Sequence, residues 1–411
     1  MEYVMSETTL ECQRPRPFPL ERTSVPEPAG DYRRLRAEQP IIKVSLPTEQ
    51  EAWLVTRYSD VRALLIDERI SADRSHPNFP LRRPVQSVLR KGFSAQAKSL
   101  LALDLPEHTA PRRMLANEFT LRRINELRPV IQKIVDDRID EMLAAGPPAD
   151  LISDLATQVP SRMICELLGV PLESREFFQD RTLTLQLPGS TPEQQLQAAD
   201  DLARFLDELV TEKEREPSDD VLGRLVLRNR DTEVYTHDLL VGMAQNLLIG
   251  GHETTINAIA LGTIGLLQRP DVIAELQSDP DMIVATVEEI LRYYPIFDVM
   301  VRVAKEDIEI GGVTIKAGDG VVLALGSCNR DEERFADGDT FDARRGDRQH
   351  VTFGYGIHQC LGQNLARVEL EIVFATLFRR IPTLRLAVDL DEVPFKVTST
   401  ITGVFRLPVT W

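Results

Sequence analysis

Cys360 has the most distinctive chemical setting in the chain. It lies in Phe353–Gly362, FGYGIHQCLG, framed by Gly354, Gly356 and Gly362, with His358 two residues before it. A glycine-free run, Gln363–Arg380, follows. The spacing predicts a glycine-loosened loop, then the thiol, then a helix start. Backbone N–H groups at a helix start favour a thiolate. A thiolate is one of the recognised axial ligands of haem iron. Glycines let a backbone and a flat cofactor approach closely. For a cysteine taken alone, the commoner role is that of a small buried core residue.

Four further groupings carry chemistry. His108 and Arg112 are four apart, hence on one helical face, and suit a pair of carboxylates. Gly250-Gly251 interrupts a long apolar pattern and is followed by Glu253-Thr254. Glycine inside a helix costs about 1 kcal/mol relative to alanine, so the pair predicts close approach of another group. An acid and a hydroxyl beside it suit a proton relay. Glu289 and Arg292 are three apart and can form a bidentate pair. Arg302 follows a short apolar loop. Taken singly, the commoner role of each is that of an ordinary solvated or scaffold residue.

The elements that must position these groups are mostly helical. Apolar periodicity predicts helices over 31–38, 60–65, 124–143, 151–168, 172–187, 191–214, 236–267 and 281–294, and another after Cys360. The longest, 236–267, contains Gly250–Thr254. Alternation predicts strands over 41–44, 52–56, 308–315, 321–325 and 397–409. Residues 69–103 lack periodicity, and 331–349 form a charged, irregular meander. The fold class is mainly α with a smaller β region. Residues 1–27, polar and proline-rich, are expected as a flexible lead-in, with 28–411 a single domain.

Composition narrows the function classes. The formal net charge is −16, which argues against nucleic acid as a partner. Cys12, Cys165, Cys328 and Cys360 show no C-x-x-C spacing, so neither a zinc site nor a disulfide framework is expected. A reducing cytoplasm fits best. No stretch has the length and apolarity of a membrane anchor.

The pattern F-G-x-G-x-H-x-C-x-G at Phe353, Gly354, Gly356, His358, Cys360 and Gly362 resembles the cysteine-ligand loop of the cytochrome P-450 family, soluble actinobacterial members above all. The other four groupings match that family in type and order. The resemblance implies the P-450 fold, a long central helix over haem within a helix bundle plus small sheets. It implies heme b (iron protoporphyrin IX), with Cys360 as iron ligand and Phe353, Gly354 and Gly362 forming the loop around it. His108, Arg112, Arg302 and His358 would neutralise the haem propionates. Gly250 and Gly251 would form the oxygen-binding kink, and Glu253 with Thr254 would deliver protons. Glu289 and Arg292, completed by Arg345 or Arg344, would lock the framework.

The activity so implied is monooxygenation: O2 is activated and a hydrophobic small molecule is hydroxylated or epoxidised, in secondary metabolism or xenobiotic oxidation. Peroxide-driven oxidation, oxidative coupling, or a non-enzymatic haem sensor are the competing readings. Pocket candidates are Arg74, Phe79, Leu185, Leu248, Ile249, Ile296, Phe297, Val299, Ile401 and Val404. Helices 172–187 and 191–214 would form a lid. Electrons are expected from a ferredoxin served by a ferredoxin reductase, docking near Arg112-Arg113 and Arg344–Arg348. The protein is expected to act as a monomer.

Overall fold

The computed structural model describes residues 15–22, 27–80, 99–185, 187, 189–396 and 401–411. Cys12, Pro84, Gly92, Pro188 and the start of the segment 397–409 lie outside the described residues.

Helices form the bulk of the chain. In order they are α1 (Asp31–Glu38), α2 (Tyr58–Ile66), α3 (Thr109–Ala116), α4 (Leu121–Glu126), α5 (Arg128–Ala145), α6 (Gln158–Leu168), α7 (Arg175–Thr184), α8 (Pro192–Arg215), α9 (Val221–Thr232), α10 (His237–Leu267), α11 (Pro270–Ser278), α12 (Ile283–Tyr293), α13 (Leu325–Cys328) and α14 (Gln363–Arg380). The 31-residue α10 starts where the Thr236 hydroxyl accepts from the Leu239 N–H at 3.2 Å. Nearly all of its second half is buried, as expected of a helix apolar on every side. It packs against α6, α8, α12 and α14 at the centre of the main apolar core.

Three expectations change. Residues 151–168 divide into a wide turn, Ile152–Ala156, and α6. The helix expected over 172–187 is a short 3-10 turn, Leu172–Ser174, followed by α7. The described part of the lead-in is not loose. β1 (Arg16–Pro17) pairs in parallel with β2 (Ile41–Ser45), and Phe18 and Leu20 are buried against the sheet. Two apolar side chains in a polar stretch suffice to tie it down, so the folded unit starts before residue 28.

β2 turns into β3 (Glu51–Val55), and five later strands follow: β4 (Ile70–Ser71), β5 (Ala149–Asp150), β6 (Val299–Ala304) and the hairpin β7 (Ile308–Ile310)–β8 (Val313–Ile315). β9 (Gly320–Ala324), β10 (Arg385–Leu386) and β11 (Pro408–Thr410) complete the set. The largest sheet has the order β1-β2-β3-β9-β6-β4. Its β6–β9 register sets Arg302 opposite Val321, at the boundary between sheet and helices. Among the described residues of the segment expected as strands over 397–409, the structure has β11 and a bridge from Val404 to Phe395.

One buried ion network fixes the irregular meander to the helices. Arg292 donates to both carboxylate oxygens of Glu289 at 2.7 Å. Its remaining N–H groups reach the carbonyls of Asn329, Gly338 and Thr340 at 2.5, 2.7 and 3.0 Å. Glu289 also accepts from the Asp342 N–H and lies 3.3 Å from Arg345 Nε. Arg344 turns away to Glu275 at 3.0 Å. Every donor of Arg292 is used, so the buried charge is compensated. Arg292→Leu removes the bidentate partner of the buried Glu289 carboxylate, leaving it Arg345 and the Asp342 N–H, and is expected to cost about 3 kcal/mol. Urea unfolding followed by circular dichroism reads this; a loss under about 1 kcal/mol would contradict the assignment.

Candidate active site

The loop before α14 is shaped by its glycines. Gly356 has φ +75°, and a Cβ there would meet the Leu65 carbonyl at 2.5 Å. Only glycine therefore lets the loop lie against α2. The Cys360 N–H donates to the Phe353 carbonyl at 2.8 Å, closing the loop on itself. Cys360 is solvent-accessible, yet protein surrounds it closely enough for burial to raise its thiol pKa. The Gly362 N–H, the Arg112 and Arg367 charges and the Gln363 N–H pull the other way. Burial outweighs them, so the protein alone does not favour the thiolate. A bound cation would complete the balance, since a coordinating thiol is deprotonated outright.

A group of donors converges beside this loop. The His108 and His358 rings stack edge to face with centroids 4.6 Å apart. His108 Nε2 and both ring nitrogens of His358 are buried with no hydrogen-bond partner among the described residues. Arg112 donates to the Gln359 carbonyl, tying α3 to the cysteine loop. Burial pushes the pKa of Arg112 down, and that of Arg302 down to about 10, with the Arg74 charge adding to the latter. Burial and the neighbouring Arg302, His108 and Arg112 charges push His358 down to about 3. The nearby carboxylate, Asp104, already accepts from the Ser71 hydroxyl and the Ala72 N–H. Donors desolvated without acceptors are costly unless an anion meets them. An accessible thiol beside such a set fits a metal-centred group that carries two carboxylates, as haem does.

On α10, the helix is continuous through Gly250-Gly251. The two glycines differ. A Cβ at Gly251 would meet Ile164 Cδ1 at 2.6 Å, whereas one at Gly250 would meet nothing within 4 Å. Close packing thus explains Gly251 alone. The Thr254 hydroxyl donates to the Gly250 carbonyl at 2.5 Å, a back-bond that tends to bend helices. Gly250 and Thr254 keep accessible surface, while the flanking His252, Glu253 and Thr255 are buried. Glu253 is bound to the Lys396 ammonium and accepts from Asn257 Nδ2 at 2.9 Å. The acid and the hydroxyl therefore point to different surroundings, as adjacent helical residues must.

Of the apolar pocket candidates, Leu185, Ile249, Phe297 and Ile401 are partly accessible. Phe79, Ile296 and Val299 are buried at 5%, 5% and 3% exposure. Leu248 and Val404 are closed into the main core at 0% and present no surface. Arg74 is exposed on the turn after β4.

Three partners were not legible in the sequence. Lys396 is 143 positions from Glu253. Glu288, next to Glu289, forms a second buried network with Arg367 at 2.7 Å, Arg348 at 3.0 Å and His350 at 3.1 Å. Arg367 lies over the Phe353 ring at 4.6 Å and so braces the cysteine loop. On the other side of α10, His252 lies 2.7 Å from Ser161 Oγ, which also accepts from Gln179 on α7. The adjacent acids in EEILRYYP were the available signal for the Glu288 network.

Comparison with known proteins bears on this arrangement. The family described as Cytochrome P450 matches residues 174–384. Pentalenic acid synthase of Streptomyces avermitilis is 45% identical over 408 residues, 99% of this chain and 100% of that protein. The crystal structure of mycinamicin VIII C21 methyl hydroxylase MycCI from Micromonospora griseorubida, bound to mycinamicin VIII, superposes with a TM-score of 0.89. It is 39% identical, over 96% of this chain and 100% of that one. Cytochrome P450 MoxA from Nonomuraea recticatena gives a TM-score of 0.87 at 46% identity, over 96% and 98% of the two chains.

The Glu288 network makes stability depend on pH. Burial alone would raise the Glu288 pKa, but hydrogen bonds from His350 and Arg367 hold it down to about 2, against 4.5 ordinarily. A depressed acid pKa stabilises the fold above pH 4.5 and loses that stabilisation as pH falls toward 2. Glu288→Gln is therefore expected to unfold more readily at pH 6 and to show a shallower loss of stability on acidification through that window. Urea midpoints measured across the window check this; parallel profiles for the two proteins would contradict it.

Proposed function

The chain belongs to the cytochrome P450 family, and on that premise we propose that it inserts one oxygen atom from O2 into a hydrophobic small organic molecule, hydroxylating or epoxidising it. The observation that carries this is the accessible, protein-enclosed thiol of Cys360 beside a set of buried donors without acceptors. Heme b, when bound, supplies the one-electron and O2 chemistry. We assign Cys360 as its iron ligand, within the loop formed by Phe353, Gly354 and Gly362. We assign His108, Arg112, Arg302 and His358 to its propionates.

The chain's own residues do the rest. Gly251 brings α10 close to its neighbours, and Gly250 keeps a flank of that helix free of side chain. The Thr254 hydroxyl, held on the Gly250 carbonyl, keeps its lone pairs available to accept a hydrogen bond and can pass on its proton. Glu253 can resupply it only by leaving Lys396 and Asn257. Glu289, Arg292 and Arg345 hold the meander rigid, and so hold the thiol in place. The apolar residues Leu185, Ile249, Phe297 and Ile401 offer a substrate-facing surface that excludes water.

The relative named for the C21 methyl group of mycinamicin VIII supports hydroxylation of a secondary metabolite. Vitamin D3 dihydroxylase of Streptomyces griseolus, 42% identical over 96% of both chains, supports an apolar substrate of that size class. We assign electron delivery to a ferredoxin with its reductase. Arg113 is exposed and has no ion pair among the described residues, whereas Arg344 and Arg348 are already engaged by Glu275 and Glu288. A basic patch on an acidic protein attracts an acidic donor. Arg113→Glu reduced at an unchanged rate at low salt would remove that docking assignment. Among the described residues no helix is long and apolar enough to cross a membrane. Cys165 and Cys328 are unpaired and buried. We assign the enzyme to the cytoplasm, as a monomer.

Turnover in 18O2 with ferredoxin, reductase and an accepted substrate tests the reading. One labelled oxygen is expected in the product. Thr254→Ala should consume reductant at a comparable rate while the product yield per electron falls about tenfold or more, the scale of a lost proton-transfer group. Full coupling in that variant would contradict the role of Thr254, and unlabelled product would contradict monooxygenation.

A further inference from the structure

We propose that Asn246 and Ser99 together bind a neutral hydroxyl group of the substrate, so that the enzyme takes an apolar molecule whose alcohol lies about one to two helical turns from the carbon it oxidises. The inference rests on the haem-site reading given above. It adds the substrate's polar group and the place where that group is held.

Helix geometry places Asn246. An α-helix turns by about 100° per residue, so residues four apart drift by only about 40° and rise by about 6 Å. Asn246, Gly250 and Thr254 are spaced by four on α10 and share one face. All three keep accessible surface, whereas Leu248, His252, Glu253 and Thr255 are buried. The accessible stripe therefore runs from the Thr254 hydroxyl, past the flank at Gly250 that carries no side chain, to the amide of Asn246. That amide stands about 6 Å along the axis from Gly250 and about 12 Å from Thr254.

A second segment meets the helix at that amide. Ser99 opens a short 3-10 turn, Leu100–Ala102, that packs against α10. Asn246 Nδ2 donates to Ser99 Oγ at 2.8 Å, and the Leu101 N–H donates to the same oxygen at 3.3 Å. The chain then runs on to His108, whose ring stacks on His358 beside the cysteine loop. The Asn246–Ser99 bond thus joins the accessible face of α10 to the segment that leads to the proposed haem site.

The bond uses one function of each partner and leaves another. Ser99 Oγ is the acceptor in both of its bonds, so its proton is still to be donated. Asn246 Oδ1 has no hydrogen-bond partner among the described residues and is not buried. A donor and an acceptor therefore stand side by side, and among the described residues no charged side chain bonds either one. A hydroxyl group answers both: its proton goes to Asn246 Oδ1 and its oxygen accepts from Ser99. An ether oxygen answers Ser99 alone. A carboxylate also accepts from Ser99, but its charge meets the amide oxygen and finds no cation, which is costly away from water. Leu247 and Ile249, beside Asn246 on α10, are apolar and partly accessible, and suit the rest of the molecule.

Haem-loaded enzyme is titrated with 1-decanol, 1-methoxydecane and decanoate, reading each dissociation constant from the Soret shift. The wild-type protein is expected to bind the alcohol about fivefold or more tightly than either analogue. Asn246→Leu should remove the preference over the ether by weakening the alcohol alone. Ser99→Ala should weaken alcohol and ether alike, by about fivefold, and keep the preference between them. Binding of imidazole, which takes neither bond, should be unchanged in both variants. The proposal is overturned if wild type shows no preference for the alcohol, if Asn246→Leu keeps that preference, or if it weakens alcohol and ether equally. Should Asn246→Leu load no haem, Ser99→Ala decides alone, and unchanged alcohol binding there overturns the proposal. The reduced CO spectrum of the same preparations reports separately on the Cys360 assignment. A wild-type spectrum without thiolate character overturns the haem-site reading, and this inference with it.

Discussion

A thiol closely surrounded by protein does not ionise without compensation, and the residues around Cys360 bear on that constraint. Burial raises the Cys360 pKa, and two N–H groups and two arginine charges counter it only in part. A bound cation would supply the missing positive charge. The same logic applies to the donors nearby, where guanidiniums and imidazoles are desolvated ahead of the anions they would meet. Such a set of groups would become electrostatically complete on binding a cofactor of matching charge.

Rigidity follows from the same need. Glu288 and Glu289 are adjacent on α12 and serve two separate networks. Glu289 binds Arg292, whose other N–H groups donate to carbonyls of the meander. Glu288 binds Arg367, which sits over Phe353 in the cysteine loop. One helix therefore fixes both the approach to the loop and the start of α14. On α10 the contacts are of a different kind. Thr254 hangs on a helix carbonyl, and Glu253 is held by an ion pair it would have to leave.

Local pattern made much of this legible. The cysteine loop, the length of α10 and the Glu289/Arg292 pair depend on spacings of a few residues, and the structure has them where the spacing put them. The unread parts depend on distant partners. Lys396 meets Glu253 across 143 positions and Arg367 meets Glu288 across 79, separations at which a lone sequence carries no register. The mean polarity of residues 1–27 hides Phe18 and Leu20, the two apolar side chains through which the described part of that stretch is attached. The glycine pair was read as a unit, although packing constrains Gly251 and leaves Gly250 free.

The account stands or falls on Cys360 as the metal ligand. Its most direct test is the absorption spectrum of the reduced CO complex of Cys360→Ser, compared with wild type at equal haem content. The account predicts a wild-type Soret band at the red-shifted position of thiolate ligation, and loss of that position in the variant. A variant that binds haem and keeps the wild-type Soret position would contradict it.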